Sequence, residues 1–151
     1  MARTLSLALA SLMAVGLVTA QAAGAEPKAW DQAAVTALAR ELAVAAGDVR
    51  QSVRQSPQGT SAGRASRNRH QALDDLRVIE SSINHLARRL EAGEGREETR
   101  PTYQRIVTLR NDIAMRARRA LIVEPTLTKL ETARGLLEQL SPYYEDAPEA
   151  G

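Results

Sequence analysis

The chain has 151 residues, with 20 basic against 18 acidic side chains for a formal charge of +2, and it contains no cysteine, no phenylalanine, one Trp and three Tyr. So balanced a charge gives no polyelectrolyte surface, and so few rings make no platform for stacking bases, so a nucleic-acid partner is not expected. The lack of cysteine excludes disulfides, thiolate metal sites and covalently attached haem, and stability must come from apolar burial in a single domain.

The first stretch reads as a targeting segment. Arg3 supplies a positive start, Leu5 to Val18 is apolar apart from small residues, and Ala-x-Ala sites end at Ala22 and Ala25. This is the pattern of a secretory signal peptide, with cleavage expected after Ala25. The apolar run is shorter than the ~20 residues of a spanning helix. The expectation is an exported protein, periplasmic or extracellular, with a helical domain over residues 26–142 and a flexible acidic tail over 143–151.

A first helix is expected from about Lys28 to Gln55. Val35, Leu38, Leu42, Ala45, Val49 and Val53 recur there at spacings of three and four. Trp30 lies at the edge of this apolar arc and should close one end of the core. Ser56-Pro57-Gln58-Gly59-Thr60-Ser61-Ala62-Gly63 then breaks the periodicity.

The strongest signal follows, from Arg69 to Leu90. Ala72, Leu73, Leu76, Ile79, Ile83, Leu86, Ala87 and Leu90 fall within an arc of roughly 140° at helical pitch. Ser66 or Asn68 is the expected cap, and Gly93 and Gly95 should end the helix near Ala92. After the acidic linker Glu94 to Glu98, Thr99 and Pro101 mark the next start.

The third helix carries Tyr103, Ile106, Leu109, Ile113, Ala117, Ala120 and Leu121 on one face. Pro125 interrupts it, and Leu127, Leu130, Ala133, Leu137 and Leu140 continue until Ser141-Pro142. On one continuous wheel the arc after Pro125 is rotated by roughly 150° from the arc before it. Either the chain turns there and a short fourth helix folds back, or one bent helix serves two surfaces. Met115 and Ile122 share the phase of the later arc. With Leu127 and Leu130 they form a candidate contact strip for a protein partner or a second copy. The fold class is all-α: an antiparallel bundle of three long helices plus a short fourth or a bent extension.

Chemistry is sparse. Cofactor ligands in a bundle must project inward from facing helices. His70 and His85 project roughly 140° and 160° from the centre of their helix's apolar arc, and Met115 also lies on the outer side. No cofactor and no metal site is therefore expected. His70, Asp74, Ser81 and His85 lie on one convex helix face, which offers no water-excluding pocket for nucleophilic catalysis. Glu94, Glu97 and Glu98 lack the spacing of a calcium loop. The chain reads as a non-enzyme.

The arginines form the remaining candidate. In antiparallel neighbours Arg88 and Arg89 would lie near Arg105, and Arg116, Arg118 and Arg119 near Arg67 and Arg69. The second group could bind an anionic lipid, a polysaccharide phosphate or nucleic acid. It could equally be a solvated face balanced by Asp and Glu. The functional expectation is an interaction or structural module of the cell envelope. An anion binder using the Arg67 to Arg119 pole is the alternative, and a cofactor-carrying bundle lacks inward-facing ligands.

Overall fold

The computed structural model describes residues 26–56, 64–117 and 124–146. They form four helices: α1 (Gln32–Gln55), α2 (Arg64–Glu91), α3 (Arg96–Ala117) and α4 (Glu124–Tyr144), with no strand among the described residues. α1 packs along both α2 and α4, α2 also packs on α3, and α3 and α4 touch least. The contacts between ends establish an antiparallel bundle. Gln32, opening α1, donates to the Leu90 and Glu94 carbonyls at the end of α2. Ser52, late in α1, meets Thr126, early in α4, at 2.8 Å. Tyr144, closing α4, meets Thr99 at the start of α3. The expected all-α bundle is the fold.

α1 starts later than Lys28 because Asp31 caps it, accepting from the Ala34 amide at 3.0 Å. Residues 26–31 stay non-helical, and the Lys28 amide donates to the Pro142 carbonyl at 2.8 Å. The helix buries Val35, Ala39, Leu42, Ala45, Ala46 and Val49. So many small residues on one face let α2 approach closely. The Arg50–Glu80 pair, at 2.6 Å, spans the two helices beside this face.

α2 begins at Arg64, so Ser66 and Asn68 lie inside the helix and do not cap it. Its end follows the glycine signal. Gly93 sits at φ +87°, its amide reaches the Leu90 carbonyl, and the Glu94 amide reaches the Arg89 carbonyl. That pair of bonds is a Schellman motif, which needs a residue tolerant of left-handed backbone. Leu76, Ile83, Leu86, Ala87 and Leu90 are buried, whereas Ala72, Leu73 and Ile79 are only half-buried.

α3 starts at Arg96, three residues before the expected Thr99. Gly95 presents its carbonyl to both the amide and the hydroxyl of Thr99. Pro101 thus falls inside the helix, on an exposed face. Tyr103 and Ile106 are buried, but Leu109 and Ile113 are half-buried. Among the described residues, burial along the predicted stripe thus falls off after Ile106.

The two readings of the Pro125 junction resolve in favour of a folded-back helix. α4 packs along α1 and returns its end to the start of α3, which a bent extension of α3 could not do. The change of phase on the wheel is the change of packing partner, from α2 to α1. Nor is this helix short: it has 21 residues and passes through Pro142 to Tyr144. Beyond the expected boundary at 142, Tyr144 is buried in the core and Tyr143 packs against it under the Lys28 ammonium. The Glu145 amide still bonds the Ser141 carbonyl, and Asp146 is held by Arg100. Residues 1–25 and 147–151 lie outside the described residues, so the expected leader and the rest of the tail have no structural counterpart here. No described helix is long and apolar enough to cross a membrane.

Candidate functional site

One end of the bundle is an aromatic knot. Tyr103 and Tyr144 stack at 4.1 Å between ring centroids and 6° between planes, and Trp30 meets Tyr144 edge-on at 5.5 Å. The polar edges are satisfied: the Trp30 indole donates to Gln32, and the Tyr144 hydroxyl lies 3.0 Å from Thr99 Oγ1. Burial pushes both the Tyr144 and the Tyr103 phenols above their ordinary value. This end closes all four helices around one core.

Away from the knot the bundle is unevenly closed. α3 and α4 are joined at Thr99, Tyr103 and Tyr144 and make little further contact. Leu109 and Ile113 on α3 and Leu130 and Ala133 on α4 remain half-buried. Met115 is 69% exposed and Leu127 is 38% exposed. Single exposed apolar residues are ordinary, but a seam of half-covered ones between two long helices is a surface that water does not favour.

Four residues make up the predicted contact strip. Met115 and Leu127 are exposed, Leu130 is half-buried, and Ile122 lies outside the described residues. The predicted anion pole is described only in part. Arg67 is exposed, while Arg69 turns its guanidinium to the Arg54 carbonyl in the last turn of α1. Arg116 belongs to α3, but its side chain, like all of Arg118 and Arg119, lies outside the described residues. Arg88, Arg89 and Arg105, expected to be neighbours, each have other surroundings. Arg89 holds Glu94 at 2.5 Å and Thr102 at 3.0 Å, and Arg88 borders the α1–α2 groove beside Glu91. Arg105 borders a separate groove with Asp74 and Arg77.

Those two grooves are shallow and open, each about 500 Å³. Ser81 borders both, yet neither is lined by a histidine, and His70 and His85 are exposed on α2. Ser81 and the histidines therefore do not share a pocket. Among the described residues no cluster of three or more His, Asp or Glu is placed to hold a metal ion.

A cluster that the sequence reading passed over lies beside the knot. Arg96 and Arg100, one turn apart on α3, both face Asp146 just beyond α4. Hydrogen bonding to Arg100 holds the Asp146 carboxyl below its ordinary value, with Arg96 adding a smaller electrostatic pull. The signal was the i, i+4 spacing of the two arginines, but nothing in the pattern placed residue 146 against them. Comparison with protein-family models, with curated proteins and with solved structures finds no match for this chain.

Proposed function

We propose that this protein is an exported, non-enzymatic helical bundle that acts through its surface as an interaction or structural module of the cell envelope. The observation that carries this reading is the uneven closure of the bundle. One end is locked by stacked rings, while α3 and α4 touch little and Met115 on α3 and Leu127 on α4 stand in water. A protein partner or a second copy covering the seam would remove that apolar surface, at about 25 cal/mol per Å² buried. Export rests on the leader-like residues 1–25.

Sedimentation of residues 26–151 over a wide concentration range tests the seam. The expected outcome is concentration-dependent association, or co-sedimentation with an envelope protein, weakened at least tenfold by Met115→Glu with Leu127→Glu. A strict monomer with no envelope partner, indifferent to that double substitution, removes the reading. Fusing residues 1–25 to a reporter that is active only outside the cytoplasm tests export, and a silent reporter in an export-competent cell discards it. The Arg67 to Arg119 pole has less support, since Arg69 already serves the end of α1. Binding to anionic lipid or polysaccharide that falls steeply with salt would revive it.

A further inference from the structure

Arg96 and Arg100 lie at the start of α3 with only 24% and 20% of their side-chain surface exposed. They share a counter-ion. Asp146, 78% exposed, sets Oδ1 2.8 Å from Arg100 Nη2 and Oδ2 3.3 Å from Arg100 Nη1. Its Oδ1 is 3.6 Å from Arg96 Nη2, beyond hydrogen-bond reach. Arg100 has two further acceptors, Glu97 Oε1 at 3.0 Å and the Tyr144 carbonyl at 3.2 Å. Arg96 is poorly served. Its Nε and Nη2, with Arg100 Nε, are buried side-chain nitrogens that no described residue accepts from.

Buried N–H groups in folded proteins are nearly always paired, so three together in one cluster mark a missing acceptor. The shortage is local. Arg50 and Arg89, of similar burial, hold Glu80 at 2.6 Å and Glu94 at 2.5 Å. A carboxylate brings two oxygens, and Arg100 engages both of them. A phosphoryl group brings three terminal oxygens in a tetrahedral array, enough to bond two guanidinium forks at once. Asp146 itself is held as an exposed, salt-screened partner. Its departure would open Arg96 Nη2, the atom it covers, and leave two cations facing Glu97.

The geometry points to an oxyanion site formed by Arg96 and Arg100 that takes the phosphoryl group of a monophosphate, with Asp146 as the internal occupant it displaces. The site is at the aromatic end and does not depend on what the α3–α4 seam does. The shared chemistry is a phosphate monoester, whether free in solution or presented as a lipid headgroup.

Titrating the protein with inorganic phosphate at low salt, by calorimetry with thermal melts as a folding control, tests the assignment. Asp146→Asn removes the competitor and is expected to tighten binding about tenfold, and Arg96→Gln to weaken it at least tenfold in either background. Arg134→Gln, at an exposed arginine paired with Glu138 on α4, should leave binding unchanged. Should Arg96→Gln fail to fold, Arg96→Lys keeps the charge without the fork and is expected to bind more weakly. Phosphate binding that ignores Asp146→Asn, survives the Arg96 substitution, or is matched by acetate overturns the site. A parallel arm uses phosphatidylcholine vesicles carrying phosphatidic acid. Vesicle binding that depends on Arg96 assigns a lipid source, and phosphate binding that depends on Arg96 without vesicle binding assigns a soluble one. If neither depends on Arg96, the proposal falls.

Discussion

At the scale of single residues, the tyrosines carry the most consequence. Tyr103 and Tyr144 are held neutral by burial, above their ordinary value of 10.0. In the unfolded chain both phenols ionise from about pH 10, while in the folded chain they keep their protons. The folded state then binds more protons, so stability is complete below pH 10 and declines as pH rises through the higher folded values. Tyr144→Phe should cost about 1 kcal/mol at neutral pH, by losing the bond to Thr99, and should flatten the alkaline decline. Circular-dichroism melts at about pH 8 and about pH 11 check this, and parallel declines in parent and variant would contradict it. Asp146 has the opposite sign, since its depressed carboxyl gives a contribution that is lost only as pH falls through the folded value. Residue-level reading of the sequence succeeded where periodicity speaks. Leu86, Ile106 and Leu140 are buried where their spacing put them. It failed at Tyr144, whose ring lies beyond a proline that reads as a stop.

At the scale of elements, the ends of the helices were harder to read than their cores. Asp31 and Gly93 both act as the terminal signals their residue types imply, yet α3 opens at Arg96 after Gly95, which has no side chain to cap it. Pro101 and Pro142 lie inside helices because each removes one donor only, and the surrounding packing outweighs that loss. Two glycines separate local demand from mere tolerance. Gly93→Ala meets no neighbouring atom but forces a side chain onto φ +87°, and should cost about 1–2 kcal/mol. Gly135→Ala, also with nothing within 4 Å but inside α4, should stabilise by up to about 1 kcal/mol. Denaturant midpoints that move in the same direction for both would contradict the helix ending seen after Glu91. The end of α4 gives a second check. Truncation after Pro142 should cost about 3–5 kcal/mol through loss of the Tyr144 ring, where a loose tail would cost nothing.

At the scale of the whole molecule, the bundle is tight along α1 and slack between α3 and α4. The sequence showed that α4's arc faced another way, and the choice between bending and folding back depended on the length of α4, which the proline at 142 concealed. If a second copy covers the seam, the melting temperature should rise with protein concentration, and Met115→Glu with Leu127→Glu should abolish that dependence. The arginine pair was the least legible part. A sequence pattern reveals which residues share a helix face, but Asp146 meets Arg100 only through the return of α4, a contact across 46 positions of chain.

The amide of Lys28, which bonds the carbonyl of Pro142, brings the segment before α1 and the last helical turn side by side. A short Gly/Ser bridge between these two ends would therefore span little distance, and the chain could be reopened between α1 and α2 without cutting a helix. Such a circular permutant should keep the helix pairings of the parent while changing which neighbours are joined in sequence, and a matching helical circular-dichroism melt is the expected outcome.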